Sequence, residues 1–241
     1  MLDSKSVRHR LQRMRQEPDP EIRWDQTCEG SACALVVFVG PSPGGTKQPD
    51  RPPLKALCKE ALWNQVYDAP LHWSRGFRVS FKPLVEALFH APYATAGKLI
   101  GRANMDWVSN PESQDVAVRF MWAGRGSVLR MLQEARPELV IAMDAKTCEV
   151  LEIALYDADF TISSVHAKCF TVRISDAKRS RLHRGLQAFK AESRDGRQFV
   201  VIKALQHPAR MFNAEYAKRC GHAIREAANQ IAANQPVDVR A

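Results

Sequence analysis

No stretch of this chain is long and apolar enough to cross a bilayer: the longest apolar run, Ala32 to Val39, falls far short of the roughly 20 residues a spanning helix needs. The opening residues, MLDSKSVRHRLQRMR, carry charge without the apolar stretch that a secretory leader places behind it. A soluble, cytoplasmic protein with no membrane partner is therefore expected. Cysteine is sparse and scattered, at 28, 33, 58, 148, 169 and 220. The close CxxC pairs of zinc and thioredoxin-like sites are missing, so reduced structural thiols and no bound metal are expected. Internal repeats and low-complexity tracts are also lacking. The loop Gly40 to Lys47 has the glycines of a phosphate cradle, but Thr46-Lys47 stands where that motif needs Lys followed by Ser or Thr. Pro41 and Pro43 further remove amide donors from it. No cofactor is expected. A nucleotide-binding enzyme stays only as a third reading, which thermal stabilisation by nucleotide would test.

What is present is a basic chain of ordinary globular composition. Its 241 residues are 45% hydrophobic, enough for one large core. Thirty-five Lys and Arg against 26 Asp and Glu leave a formal charge of +9 and a pI near 9.4. An acidic polymer, most simply nucleic acid, suits that balance, although excess Lys and Arg also occur on solvated faces that bind nothing. The chain divides into a basic segment at 1–30 and a single α/β domain at 31–241.

Hydrophobic periodicity predicts the elements. Val7 to Gln16 reads as a basic helix. Ala34 to Val39 is a continuous apolar strand, as expected where a sheet is covered on both faces, and it stops at a Gly- and Pro-rich loop. Leu54 to Tyr67 and Phe81 to His90 read as helices, Leu99 to Val108 as a strand and Ser127 to Ala135 as a helix. Glu138 to Met143 is a third strand, before a helix that Asp144 can cap. Phe170 to Ile174 and Phe199 to Leu205 are further strands, and Ala214 to Ala233 is the closing helix. The basic stretch Lys168 to Arg197 is expected to include a surface insertion. Alternating strands and helices imply a three-layer α/β/α sandwich around a central, mainly parallel sheet.

Three motifs occur in order along that frame. Gly40-Pro41-Ser42-Pro43-Gly44 follows the first strand, Asn104 lies in Arg102-Ala-Asn-Met-Asp-Trp107, and His207-Pro208-Ala209-Arg210 follows the last strand. Their order and spacing, with the strand Pro137 to Met143 between the second and third, resemble the uracil-DNA glycosylase superfamily over residues 34 to 220. The resemblance implies a monomeric, metal-free hydrolase acting on DNA, with the first loop at the sugar, Asn104 on the base edge and the His207-Pro208 loop beneath the leaving base. Gly40, Pro41 and Gly44 then belong to the base pocket. Pro208, Arg210, Met211 and Phe212 belong to the DNA contact, Met211 and Phe212 standing where relatives carry an apolar wedge. The chemistry suits these residue types. Cleavage builds positive charge on the sugar and negative charge on the base, and each needs a preorganised partner. His207 can donate to a pyrimidine O2, and an Asn amide can pair with a Watson–Crick edge once the base is flipped.

The departures are specific. Relatives often carry Asp, Asn or Glu in the first loop to position water, whereas this chain has Pro41 and Ser42. Ser42 can orient water but is a poor base, which leaves Asp50 or Asp106 to activate it. Strand alternation puts Asp106 on the face of Asn104. The stacking Phe of relatives is replaced near its place by Leu54, with Trp63, Phe77 or Phe81 as substitutes, or as core. Where the uracil-restricted branch blocks the C5 side with Tyr, Gly44 and Gly45 leave the wall bare. A C5-modified pyrimidine is therefore expected, with glucosylated hydroxymethylcytosine of phage DNA as a candidate, since antiviral glycosylases resembling this superfamily remove it. The alternatives are a uracil-DNA glycosylase of base excision repair and a catalytically weak sensor of modified DNA. A free-nucleoside hydrolase would have little use for the basic charge.

Overall fold

The computed structural model describes residues 22–23, 28–30, 34–41, 75–105, 118–176, 182–206, 208, 211 and 213–241. In chain order the elements begin with the short strands β1 (Ile22–Arg23) and β2 (Cys28–Gly30) and the strand β3 (Val36–Gly40). Helices α1 (Arg75–Phe89) and α2 (Tyr93–Ala96) lead through a 3-10 turn to β4 (Ile100–Asn104). Helix α3 (Val118–Ala135), β5 (Leu139–Ala142) and α4 (Ala145–Asp157) follow. Five strands come next: β6 (Thr161–Ser164), β7 (Ala167–Arg173), β8 (Leu182–Arg184), β9 (Ala188–Glu192) and β10 (Gln198–Lys203). Helix α5 (Ala214–Ala232) and β11 (Val237–Arg240) close the chain.

The architecture is α/β. An eight-stranded sheet runs in the order β1-β2-β4-β3-β5-β10-β9-β6, and a three-stranded sheet in the order β11-β7-β8. The four central strands β4, β3, β5 and β10 are parallel. Antiparallel pairs flank them on both sides, β2 and β1 at one end, β9 and β6 at the other. The expected mainly parallel sheet is thus a mixed one, because hairpin-like returns rather than helical crossovers supply its edges. β2 pairs with β4 through Cys28↔Ala103, so the sheet reaches back across the expected boundary at residue 31.

Both faces of the sheet are covered, which is why β3 is apolar throughout rather than alternating. Val36 and Phe38 point into one core with Phe81, Leu84 and Leu88 of α1 and Tyr216, Cys220 and Ile224 of α5. Val37 and Val39 point into the other, with Met121, Val128 and Met131 of α3 and Leu151 and Leu155 of α4. Phe38 and Phe81 meet edge-on with centroids 5.0 Å apart, so Phe81, expected as core or as a base-stacking ring, is core. Helix α5 approaches α1 closely because its contact row is Ala217, Cys220, Gly221 and Ala228: a Cβ at Gly221 would lie 2.9 Å from Ala87 Cβ and press on the Leu84 carbonyl oxygen.

The other expectations resolve element by element. The helices expected at 7–16 and 54–67 lie outside the described residues. The helix expected from Phe81 starts at Arg75, and that expected from Ser127 starts at Val118. The strand expected at Phe170 to Ile174 is β7, and the basic stretch 168–197 around it also contributes β8 and β9, whose alternating burial marks ordinary half-buried strands. Asp144 does cap α4, its Oδ1 accepting the Thr147 amide at 2.7 Å, and Asn213 caps α5 through Tyr216 N in the same way. Among the described residues no helix is long and apolar enough to cross a membrane.

Candidate active site at the carboxyl edge of the central sheet

Parallel strands deliver their carboxyl ends to one edge of the sheet. β3 connects leftward to β4, whereas β5 leads away toward β10, so the chain diverges between β3 and β5, the switch point where open α/β sheets bind their ligands. Short hydrogen bonds tie this rim. Met105 N donates to Gly40 O at 2.9 Å, Met143 N to Val39 O at 2.8 Å and Ala204 N to Ala142 O at 2.7 Å. The backbone that carries the site is thus held by four neighbouring strands.

Gly40 and Asn104 are register partners on that rim. The Asn104 side chain leans over the end of β3, its Oδ1 only 2.7 Å from where a Cβ on Gly40 would stand, with Met143 Sδ 3.8 Å from the same point. A side chain at position 40 would therefore push the amide out of its place. Asn104 is half-buried and Pro41 is buried beside it. A carboxamide fixed against a rigid strand end, partly open to solvent, can offer one donor and one acceptor to a planar polar edge.

The third motif begins after β10, whose carboxyl end is on the same rim. Pro208 is buried, and its carbonyl accepts the Met211 amide at 3.2 Å. The Met211 side chain is 6% exposed and packs with the α1 and α5 core. Of the two roles open to Met211, core and wedge, its packing here is that of a core residue. Gln206, directly before His207, has a buried Oε1 without a hydrogen-bond partner among the described residues.

Gly40, Pro41, Asn104, Pro208 and Met211 are thus the expected site residues that the structure describes, and the first three stand together. Ser42, Gly44, Asp50, Asp106, His207, Arg210 and Phe212 lie outside the described residues, as does Trp63. Strand β4 ends at Asn104. Met143 and Gln206 went unnoticed in the sequence. Their signal is position alone, each lying just beyond a central strand at this rim. Among the described residues no group of three or more His, Cys, Asp or Glu could hold a metal ion.

Away from this rim, a concavity of about 410 Å³ lies where the end of α1 meets α5, lined by Glu86, His90, Lys218 and His222 among others. The imidazoles of His90 and His222 meet edge-on, centroids 5.8 Å apart. Burial, with His90 alongside, holds His222 below the usual histidine range. In the two cores burial pushes the thiols of Cys148 and Cys220 up to about 12. These thiols are structural rather than nucleophilic. A scan against protein-family models and a search of curated proteins find no match for this chain.

Proposed function

We propose that this protein is a monofunctional DNA glycosylase that hydrolyses the N-glycosidic bond of a flipped, C5-modified pyrimidine. The observation that carries the reading is the meeting of Gly40-Pro41 with Asn104 at one rim of the parallel strands. Two motifs more than sixty residues apart in sequence converge there, which supports reading them as one site, as the resemblance to the uracil-DNA glycosylase superfamily implies. The strand preceding His207-Pro208 ends on the same rim. The basic charge of the chain suits a DNA substrate.

In this reading the flipped base enters at the switch point and pairs its polar edge with the Asn104 amide. The C1′–N bond breaks, its electron pair moves onto the base, and His207 donates a hydrogen bond to the carbonyl oxygen where that charge collects. Water then adds to C1′, with Ser42 orienting it; its proton passes to Asp50 or Asp106 and from that carboxyl on to the base anion, so the base leaves neutral and the carboxylate is restored. Because the first loop offers Pro41 and Ser42 where relatives place an acidic or amide side chain, a catalytically weak binder of modified DNA is the second reading.

Oligonucleotides carrying uracil, 5-hydroxymethyluracil, hydroxymethylcytosine or glucosylated hydroxymethylcytosine separate these readings when abasic sites are counted. Release of a C5-modified base, reduced on the order of a hundredfold in single-turnover rate by His207→Ala, is the expected result. Release of uracil alone returns the chain to ordinary uracil repair, and tight binding without release favours the sensor.

A further inference from the structure

The small sheet β11-β7-β8 packs its inner face, Phe170, Val172, Val237 and Val239, into the α1 and α5 core. Among the described residues its outer face belongs to neither core cluster. There the register aligns Arg184 of β8, Thr171 of β7 and Arg240 of β11 in one row across all three strands. Arg173 and Leu182 form the next pair, and Cys169 and Asp238 lie on the other side. Lys168, the extra residue where the β7–β11 register shifts, is also exposed.

Among the described residues this face carries Lys168, Arg173, Arg184 and Arg240 against one carboxylate, Asp238. Asp238 is shared between Lys168 Nζ at 3.9 Å and Arg240 Nε at 3.5 Å. Both ion pairs are exposed, where such contacts are worth at most about 1 kcal/mol and exchange readily for another anion. Beyond the end of β7, Asp176 faces Arg173 but is held by Arg219 at 2.7 Å. The helical face across the molecule is charge-balanced instead, with Arg130 paired to Glu134, Arg125 to Asp157 and Arg194 to Asp159.

We infer that the outer face of β11-β7-β8 is a second DNA-binding surface, which holds the phosphate backbone while the rim receives the base. The inference rests on the glycosylase reading for the choice of DNA as the polymer. Arg184 and Arg240 stand two strand spacings apart, about 10 Å, too far to share one phosphate and suited to two, with the Thr171 hydroxyl between them. The sheet's inner face packs on α5, which begins just after the His207-Pro208 loop, and the Tyr216 ring of that helix lies 5.6 Å from the His183 ring of β8.

The test is the double variant Arg184→Glu/Arg240→Glu, compared with Arg130→Glu/Arg194→Glu as a control of equal charge change. Affinity for an unmodified duplex of about 30 base pairs is measured over a salt series, with a pentanucleotide carrying the excised base as the excision substrate. If each arginine neutralises one phosphate, the slope of log affinity against log salt drops by about two and low-salt affinity falls by tenfold or more. The control stays near wild type, and excision from the pentanucleotide is unchanged. Arg184→Gln/Arg240→Gln, which adds no repulsion, should give the same slope change. An unaltered slope, an equal loss in the control, or preference for phosphatidylserine vesicles over duplex overturns the inference. A chain that shows the slope change yet releases no base refutes the glycosylase reading and leaves this surface standing.

Discussion

Replacing Gly40 by Ala tests the rim directly, because the structure separates its effect on the site from its effect on the fold. The new Cβ would stand 2.7 Å from Asn104 Oδ1, where ordinary contact begins near 3.4 Å. The amide must therefore retreat by about 0.7 Å, given how steeply overlapping atoms repel. The crowded atom is the end of a rotatable side chain rather than backbone. Strain is relieved by turning the amide, and the gain of roughly 0.4–1 kcal/mol from a less flexible unfolded chain offsets much of what remains. Stability should stay within about 1 kcal/mol of wild type. Catalysis is less forgiving, since displacement of a positioning group by about 1 Å costs on the order of a hundredfold. Base release in single-turnover assays should fall between about tenfold and a hundredfold. Combining Gly40→Ala with Asn104→Ala should lose no more than Asn104→Ala alone, because both act through one amide. Wild-type rates in Gly40→Ala, or additive losses in the double variant, would refute the assignment of Asn104 to the base edge.

Gly221→Ala should behave oppositely: its Cβ would meet the backbone of α1, including Leu88 N at 3.1 Å, so denaturant titration should show a loss of about 1–3 kcal/mol from overpacking. Asp144→Ala should cost about 1 kcal/mol by freeing the Thr147 amide at the start of α4, read by the same titration. Met211→Ala should destabilise by roughly 2–4 kcal/mol as a core truncation, whereas Phe212→Ala should slow excision from duplex more than from single strands. The folded thiols of Cys148 and Cys220 ionise near pH 12 rather than near 9, so folding favours their protonated forms. Their contribution is intact below pH 9 and is lost as pH rises from 9 toward 12, so the melting temperature should fall across that window, less steeply in Cys148→Ala/Cys220→Ala.

The parallel core was legible because residues 34–39, 139–142 and 199–202 are apolar without interruption, a pattern that only strands covered on both faces can bury. Caps were legible for a similar reason: Asp144 stands directly between such a run and a helical one. Of the small sheet only β7 was legible, through the alternation of Phe170 and Val172 with Thr171 and Arg173. β11 follows a long helix with only four residues between them, leaving little sequence in which to see a strand. At the site, Asn104 and Gly40 were legible as motif members, but their contact was not, since parallel register depends on how the whole sheet packs. Met143 and Gln206 belong to no motif and emerge only once the strand ends are aligned.

A strand that feeds two cores also joins their fates. Val36 and Phe38 belong to one apolar cluster and Val37 and Val39 to the other, so neither cluster can loosen without disturbing the peptide units they share. Such a molecule opens as one cooperative unit, and the β3 amides exchange with solvent only when the entire fold comes apart. Gly40 is the last residue of that strand. The rim at Gly40 is therefore anchored to backbone that both cores hold in place.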